Sequence, residues 1–498
     1  MRDTTILCDP RHPIELKNKR YCVKKLIRPI LWLLFVGFAT SVFAYNLPNL
    51  GDPTEQALSL QDEKNLGEKF MQAVRNQLPL VSDPFVVNYI QTLGAHLVAS
   101  SPKPKQHFYF FIVRDSSINA FAGPAGYVGV NSGLIFTAQT ESELAAVIAH
   151  ETSHVIQRHI ARGFEEQKWL TLSTIAGMLA GIAAGVKNPN AGMGVLTAAT
   201  AGGAEKSLSY SRDFEREADH IGIQTLANAG FDPCSMPTFF GRLAKQSSLN
   251  GDHVPDLLRS HPVTEERLAD ATNRCEQFPI KARRVNSVDY LLMRVRLADE
   301  LNLDPMSAVR RYGILLKKQG NANNFILQYG YALALSKAHR FKDALPIVQK
   351  LAAQNPSILI FQITEAEIDA QMNNRDAALA IYKTLASNYA SYYPLMMSYA
   401  TFLFHAGQYG QARKILEPYQ DRYQENDVYL DLLFQVQGRA RDLLGAYQTR
   451  AQLYLLYGDL KGAIQQLKLA LELAQNDLYQ KRKINEKIRQ IKDQMNAS

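Results

Sequence analysis

The stretch AVIAHETSHVIQRHI, residues 146–160, carries His150 and His154 four positions apart, with Glu151 directly after the first. On a helix of about 3.6 residues per turn that spacing projects both imidazoles from one face, with Glu151 beside them. The flanking sequence predicts such a helix. Thr140 followed three residues later by Glu143 forms a capping box, and it opens onto the apolar run LAAVIAH. Zinc favours a tetrahedral shell of nitrogen and oxygen donors, and two histidines at i and i+4 supply half of one. The adjacent glutamate can take a proton from metal-bound water, whose pKa the ion lowers to about 7. With 11 histidines, a chain of this length meets the pattern by accident roughly once in a hundred sequences. The stretch therefore predicts a metal centre with a general base.

Outward from it, residues 51–100 repeat apolar side chains three or four apart and predict helices. FYFFIVRDSSINAFAGPAGYVGVNSGLI (108–135) is dense in β-branched and aromatic residues broken by Gly, Pro, Asn and Ser, which predicts strands joined by turns. Downstream, residues 169–204 are small, apolar and glycine-rich. They read as a packed helical hairpin, with a flap or a membrane-dipping hairpin as alternatives. SYSRDFEREADHIGIQTLANAG (209–230) predicts a helix from about Arg212, stopped by Gly230, with Glu215 and Asp219 one turn apart. A catalytic metal needs a third protein ligand. Glu215 is the candidate, and an acid one turn on can steady it. His159, His220 and His253 lack supporting spacing and are expected at the surface.

HETSH (150–154) followed by EREAD (215–219) resembles peptidase family M48, the zinc metallopeptidases whose third ligand is the first Glu of an E-x-x-A-D motif. INAFAGPAGYVGVNSGLI (118–135) is similar to that family's edge-strand segment, and RSHPVTEERL (259–268) to the S-H-P-x-x-x-x-R segment of its periplasmic members. The resemblance covers roughly residues 51–275. It implies one zinc ion per chain bound by His150, His154 and Glu215, with Glu151 as general base and Asp219 supporting a ligand. It also implies that His261 fills the fourth coordination position as a latch; read on its own, that histidine could equally cap the helix beginning near Pro262. Membrane members of the family have several spanning helices, and the sequence beyond residue 45 supplies none.

From about residue 323 the chain repeats with a period of 34. Ala332, Ala366 and Ala400 mark one small position, and Ala344, Ala378 and Ala412 another twelve residues later. That is tetratricopeptide spacing, in which small residues let two antiparallel helices pack closely. Ala451 and Ala463 keep the interval but fall 51 residues after Ala400 and Ala412, which predicts an extra helix near 427–440. In this register Tyr329, Ile363 and Met397, with Leu333, Glu367 and Thr401, line the concave face. The lining is mixed and lacks a carboxylate clamp, so a broad client or machinery surface is expected.

The net charge of +8 sits mostly at the front, where residues 1–28 hold eight basic residues against three acidic ones. The apolar run ILWLLFVGFATSVFA follows, ending in small residues at Val42 and Ala44. It reads as a signal peptide, being short for a retained anchor, and the remainder would carry only about +3, which removes the main support for nucleic-acid binding. Export leaves Cys234 and Cys275, which are expected to pair in an oxidising compartment, two free buried thiols being the alternative.

The fold class expected is mainly α: a zincin-like metalloprotease domain with a small β-sheet, followed by an α-solenoid. The division is a signal peptide over 1–44, a metallopeptidase domain over 45–280 and a repeat domain over 281–498. The resemblance implies a periplasmic zinc endopeptidase with a chaperone-like role, at the periplasmic face of the outer membrane with peripheral membrane contact. Its implied partners are unfolded or stalled outer-membrane β-barrel proteins and their assembly machinery, the latter through the repeats. The rival reading is a non-proteolytic chaperone or adaptor with a closed metal site.

Overall fold

In the computed structural model the described residues are 58–166, 211–250, 254–279, 286–474 and 477–497. The expected signal peptide, the glycine-rich 169–204 segment and His253 lie outside them. Among the described residues no helix is long and apolar enough to cross a membrane.

Two helices come first, α1 (Leu60–Gln77) and α2 (Pro84–Ala99), each started by a side-chain cap. Ser59 accepts from the Asp62 amide, and Asp83 from the amides of Phe85 and Val86. Next, β1 (Tyr109–Val113), β2 (Ala120–Ala122) and β3 (Tyr127–Asn131) form a sheet of order β1-β3-β2, with β1 parallel and β2 antiparallel to β3. The far side of β1 takes one antiparallel bridge, Leu80 to Val113. Strand β2 is therefore an edge, and no described strand pairs with its outer side.

A short helix, α3 (Ser132–Thr137), leads into α4 (Glu141–Ile156), which carries His150 and His154. Thr140 Oγ1 accepts from the Glu143 amide at 3.1 Å, as the capping box predicts. The Glu143 carboxylate reaches one residue further back than the motif requires, accepting from the Gln139 N–H at 2.7 Å, and also holds Arg242 at 2.7 Å. Every residue of α4 is buried, the mark of a helix enclosed on all sides.

Around it stand α2, β2, β3 and the next group of helices. These are α5 (His159–Glu166), α6 (Arg212–Asn228), α7 (Ser235–Asn250), α8 (Asp256–Ser260) and α9 (Glu265–Cys275). Helix α6 begins on a Ser211 cap and ends at Gly230, whose φ of 78° is the left-handed position glycine favours. Its close approach to α4 depends on Gly222, where a Cβ would lie 2.7 Å from Met236 and 3.3 Å from the His150 amide. A disulfide joins Cys234 to Cys275, with Cα atoms 5.1 Å apart, tying the loop before α7 to the end of α9.

Helix α10 (Val288–Leu301) then leads into the repeats. These run α11 (Pro305–Lys317), α12 (Phe325–Lys337), α13 (Phe341–Gln354), α14 (Leu359–Gln371), α15 (Arg375–Tyr389), α16 (Tyr393–His405) and α17 (Tyr409–Leu416). They continue as α18 (Asp427–Arg439), α19 (Leu443–Leu456), α20 (Leu460–Leu473) and α21 (Leu478–Ala497). The eight alanines of the small-residue positions are all fully buried, and α18 is the extra helix that the 51-residue interval predicts.

The expectation of an open concave face needs correction. Tyr329, Leu333, Ile363 and Met397 are buried, because the face is filled by α2 and α10: Phe85 and Leu292 belong to the same apolar cluster. Each large apolar side chain buried in this way contributes roughly 1.5–3 kcal/mol, so an apolar lining of this size is satisfied by packing rather than left open for clients. Glu367 is half-buried and faces Arg296 at 3.5 Å; of the six positions only Thr401 is exposed. A second junction lies at α1, where Gln72, Arg75 and Asn76 donate to the carbonyls of Leu455, Leu456 and Tyr457 respectively, and Arg75 also to that of Glu425.

Candidate metal centre

Helix α4 delivers His150 and His154 one turn apart, α6 delivers Glu215 from its first turn, and His261 caps the end of α8. The four side chains meet. His150 Nε2 lies 3.1 Å from His154 Nε2 and 3.2 Å from His261 Nδ1. Glu215 Oε1 lies 2.8 Å from His261 Nδ1 and 3.4 Å from His154 Nε2. All four residues are buried, and their donor atoms lie within 4.8 Å of one another. Donors about 2.0–2.1 Å from a shared tetrahedral centre would stand about 3.3 Å apart, close to these separations.

The donor chemistry fits a cation. Three imidazole nitrogens and a carboxylate oxygen aimed at one point repel one another unless positive charge lies between them. Glu151, Glu215 and Asp219 are buried beside a single buried guanidinium, Arg267, so with neutral imidazoles the cluster carries two excess negative charges, which a dication balances.

Each ligand from the two long helices is held from behind. Asp219 Oδ1 lies 2.9 Å from His150 Nδ1, and Arg267 donates to the same Asp219 oxygen at 2.8 Å while also reaching Glu215 Oε2 at 2.6 Å. On the far side of His154, its Nδ1 meets His159 Nδ1 at 2.9 Å. Glu151 is buried beside the cluster, and His261 Nε2 lies 3.3 Å from its Oε1.

The protonation of these groups follows from burial set against charge. Burial raises the Glu151 pKa, with His261 and His150 opposing. At Glu215 burial is outweighed by His261 and His150, which hold its carboxyl well below the usual range. Asp219 is likewise held down against burial, by Arg267 and His150. Burial would depress His150, yet Asp219 and Glu215 bring it up to about 9. Burial dominates at His154, which is pushed well below the usual histidine value.

Thus the structure brings His150, His154, Glu215 and His261 together with Glu151 and Asp219 around one point. Two residues of the same cluster escape the sequence reading. Arg267 is the arginine that closes the S-H-P-x-x-x-x-R pattern within RSHPVTEERL, and its place in that segment is the one signal of its role. His159, expected at the surface, is 1% exposed. The chain turns back after α4 and inserts it under Phe214, and the five-residue spacing from His154 does not announce such a turn. His220 is exposed, as expected.

Comparison with known proteins agrees with this geometry. Residues 86–275 match the model of peptidase family M48. The chain is 34% identical over 453 residues to the β-barrel assembly-enhancing protease of Yersinia pestis, covering 89% of this chain and 93% of that protein. It is 32% identical over 455 residues to the protein of the same name from Escherichia coli K12, covering 91% and 93%. Metalloprotease LoiP of the same organism matches over 161 residues at 32% identity, 31% of this chain and 60% of that one. A solved structure of the APC/C hetero-tetramer Cut9-Hcn1 aligns with 70% of this chain and 78% of its own at 13% identity and a TM-score of 0.29, too weak a likeness to argue from. A third of the sequence shared along nearly the full length, on a fold that gathers the H-E-x-x-H and E-x-x-A-D side chains at one buried point, makes this chain a metallopeptidase of peptidase family M48.

Proposed function

We propose that the chain is a zinc-dependent endopeptidase of the periplasm, exported by its residues 1–44 and acting on unfolded or stalled β-rich chains. The observation that carries this reading is the meeting of His150, His154 and Glu215 beside the buried carboxyl of Glu151. A zinc ion held there would polarise a peptide carbonyl and lower the pKa of a bound water to about 7. Glu151 takes the proton from the attacking water and returns it to the leaving amide nitrogen; a carboxyl raised by burial is suited to both halves of that task. Asp219 and Arg267 keep His150 and Glu215 in place while the proton moves.

Strand β2, packed on α4 with its outer edge unpaired among the described residues, would bind substrate as an added strand. Such pairing is largely indifferent to side chains and suits extended chains. That agrees with relatives named for enhancing β-barrel assembly, and outer-membrane β-barrel proteins are the clients we propose. The repeat domain, 281–498, would dock the assembly machinery through surfaces other than the concave region that α2 and α10 fill.

His261 is the latch of this site. Its Nδ1 stands among the metal donors while its Nε2 faces Glu151, so one imidazole covers both the fourth position and the general base. It comes from the end of a five-residue helix, where the other ligands come from helices of 16 and 17 residues. Withdrawing it would free both groups at once.

Two substitutions test the reading. Glu151→Gln should retain zinc and lose cleavage of an unfolded substrate by about 10²–10⁴-fold; cleavage at the wild-type rate would overturn the enzyme assignment and favour a binding-only chaperone. His261→Ala should raise cleavage, including self-cleavage, with zinc retained. Unchanged or lower activity with zinc retained would replace the latch by a role in stabilising the oxyanion.

A further inference from the structure

Between α4 and α5 the chain turns through Arg158, whose φ of 53° is left-handed, a conformation that disfavours a residue with a side chain. Its buried side chain anchors the turn: the guanidinium lies 3.1 Å from Glu63 Oε2 and 2.7 Å from the Leu58 carbonyl oxygen. The effect is to set His159, the first residue of α5, directly behind the metal-side histidine of α4. His159 Nδ1 lies 2.9 Å from His154 Nδ1. Its ring stacks on Phe214, with centroids 4.4 Å apart and planes 5° from parallel. Its other nitrogen, Nε2, lies 3.1 Å from Glu217 Oε2, an oxygen that Arg162 Nη1 holds at 2.6 Å.

Hydrogen-bond chemistry orders the protons along this row. Two ring nitrogens 2.9 Å apart bond only when one of them carries the hydrogen. A carboxylate only accepts, so the hydrogen of His159 belongs on Nε2, pointing at Glu217, and its Nδ1 presents a lone pair. That lone pair accepts the Nδ1–H of His154. The hydrogen of His154 is thereby kept off Nε2, the nitrogen among the metal donors, whose lone pair is left facing the centre. The reverse order would set a lone pair against the Glu217 oxygen and a hydrogen into the metal site.

Resting on the proposed zinc site, we infer that His159 and Glu217 are positioning residues that fix the tautomer and orientation of His154 as a metal ligand. With Asp219 behind His150 and Arg267 behind Glu215, each ligand from the two long helices then has its own outer partner, and His154 is held by an imidazole relay to a carboxylate rather than by a carboxylate directly.

The test is zinc affinity, read by competition with a chromophoric chelator on the purified full chain. His159→Phe keeps a ring against Phe214 but removes the acceptor, and should weaken zinc binding about 10–100-fold. His159→Asn places an amide oxygen where Nδ1 stood, and should recover most of the loss. Glu217→Gln, at a half-exposed position that does not threaten folding, no longer dictates which ring nitrogen carries the hydrogen and should weaken zinc several-fold. Wild-type affinity in both His159→Phe and Glu217→Gln would overturn the inference, as would His159→Asn binding no better than His159→Phe, which would make the loss one of packing. A wild-type chain that binds no zinc, or a His154→Ala chain that binds as well as wild type, would instead overturn the metal site on which the inference rests.

Discussion

Two buried charge clusters in this chain make an instructive pair. At the junction with the repeats, Arg296 lies 2.6 Å from Asp83, 3.3 Å from the Tyr329 hydroxyl and 3.5 Å from Glu367, with its guanidinium over the Phe85 ring. Opposite charges there answer one another, and the cluster joins α2, α10, α12 and α14. At the α4–α6 site, three buried carboxylates share one guanidinium, and three imidazoles turn nitrogens toward the same point. The Arg296–Asp83 pair is slightly less enclosed than the α4–α6 site and Glu367 is only half-buried; the sharper difference is how the charges are met. A cluster in which each carboxylate faces the guanidinium, and the second one also faces solvent, is explained by the fold. One whose donors converge and which, with its imidazoles neutral as metal ligands must be, holds two excess negative charges asks for a dication, and that distinguishes a functional site from a structural one better than burial or a shifted pKa does.

The junction offers the largest test of that contrast. Arg296→Ala strands Asp83 in the interior and should cost about 3–5 kcal/mol in thermal or denaturant unfolding, whereas removing both charges with Arg296→Met and Asp83→Leu should cost far less. A small loss in the single variant would mean the junction is wetter than its burial implies.

On the other side of the comparison, Asp219→Asn removes the charge behind His150 and should weaken zinc binding about 10–100-fold, roughly 1.4–2.7 kcal/mol, while also destabilising the metal-free fold because Asp219 pairs with the buried Arg267. Equal affinity would show that His150 needs no support from behind.

Acidity probes the same excess charge. His150, brought up to about 9 by Asp219 and Glu215, is protonated at pH 7 before metal enters, so binding must expel that proton. The apparent zinc affinity should climb about tenfold per pH unit from 7 toward 9 and then level, as chelator competition across pH would show. In the metal-free protein the sign is opposite. A raised histidine pKa stabilises the fold below its ordinary value of 6.5, and that contribution is lost as pH rises through about 9. The smallest effect belongs to the start of α4. Thr140→Ala should cost about 1 kcal/mol of stability by removing the acceptor for the Glu143 amide, with zinc binding unchanged.

Local chemistry was the readable part of this molecule. The Thr140 cap, the glycine stop after α6, the 34-residue alanine period and the pairing of Cys234 with Cys275 depend on near neighbours or on simple counts, and each stands where the sequence puts it. The candidate metal ligands were legible because a helix fixes the i, i+4 geometry of His150 and His154, and because E-x-x-A-D sits on a second recognisable helix. His159 was not, since its burial depends on a left-handed turn at Arg158 that is stabilised by Glu63, nearly a hundred residues earlier. The concave face was misread for the same kind of reason. Tyr329, Ile363 and Met397 look like a free lining until α2 and α10, which no repeat period mentions, are packed against them.

Whether the convergence of His150, His154 and Glu215 is a zinc site is tested most directly by counting metal in the purified chain. The prediction is one zinc per chain in the wild type and loss of that zinc in Glu215→Ala at matched folding, checked by circular dichroism. Wild-type protein without zinc after exposure to the ion, or a folded Glu215→Ala chain that holds zinc as tightly as wild type, would contradict it.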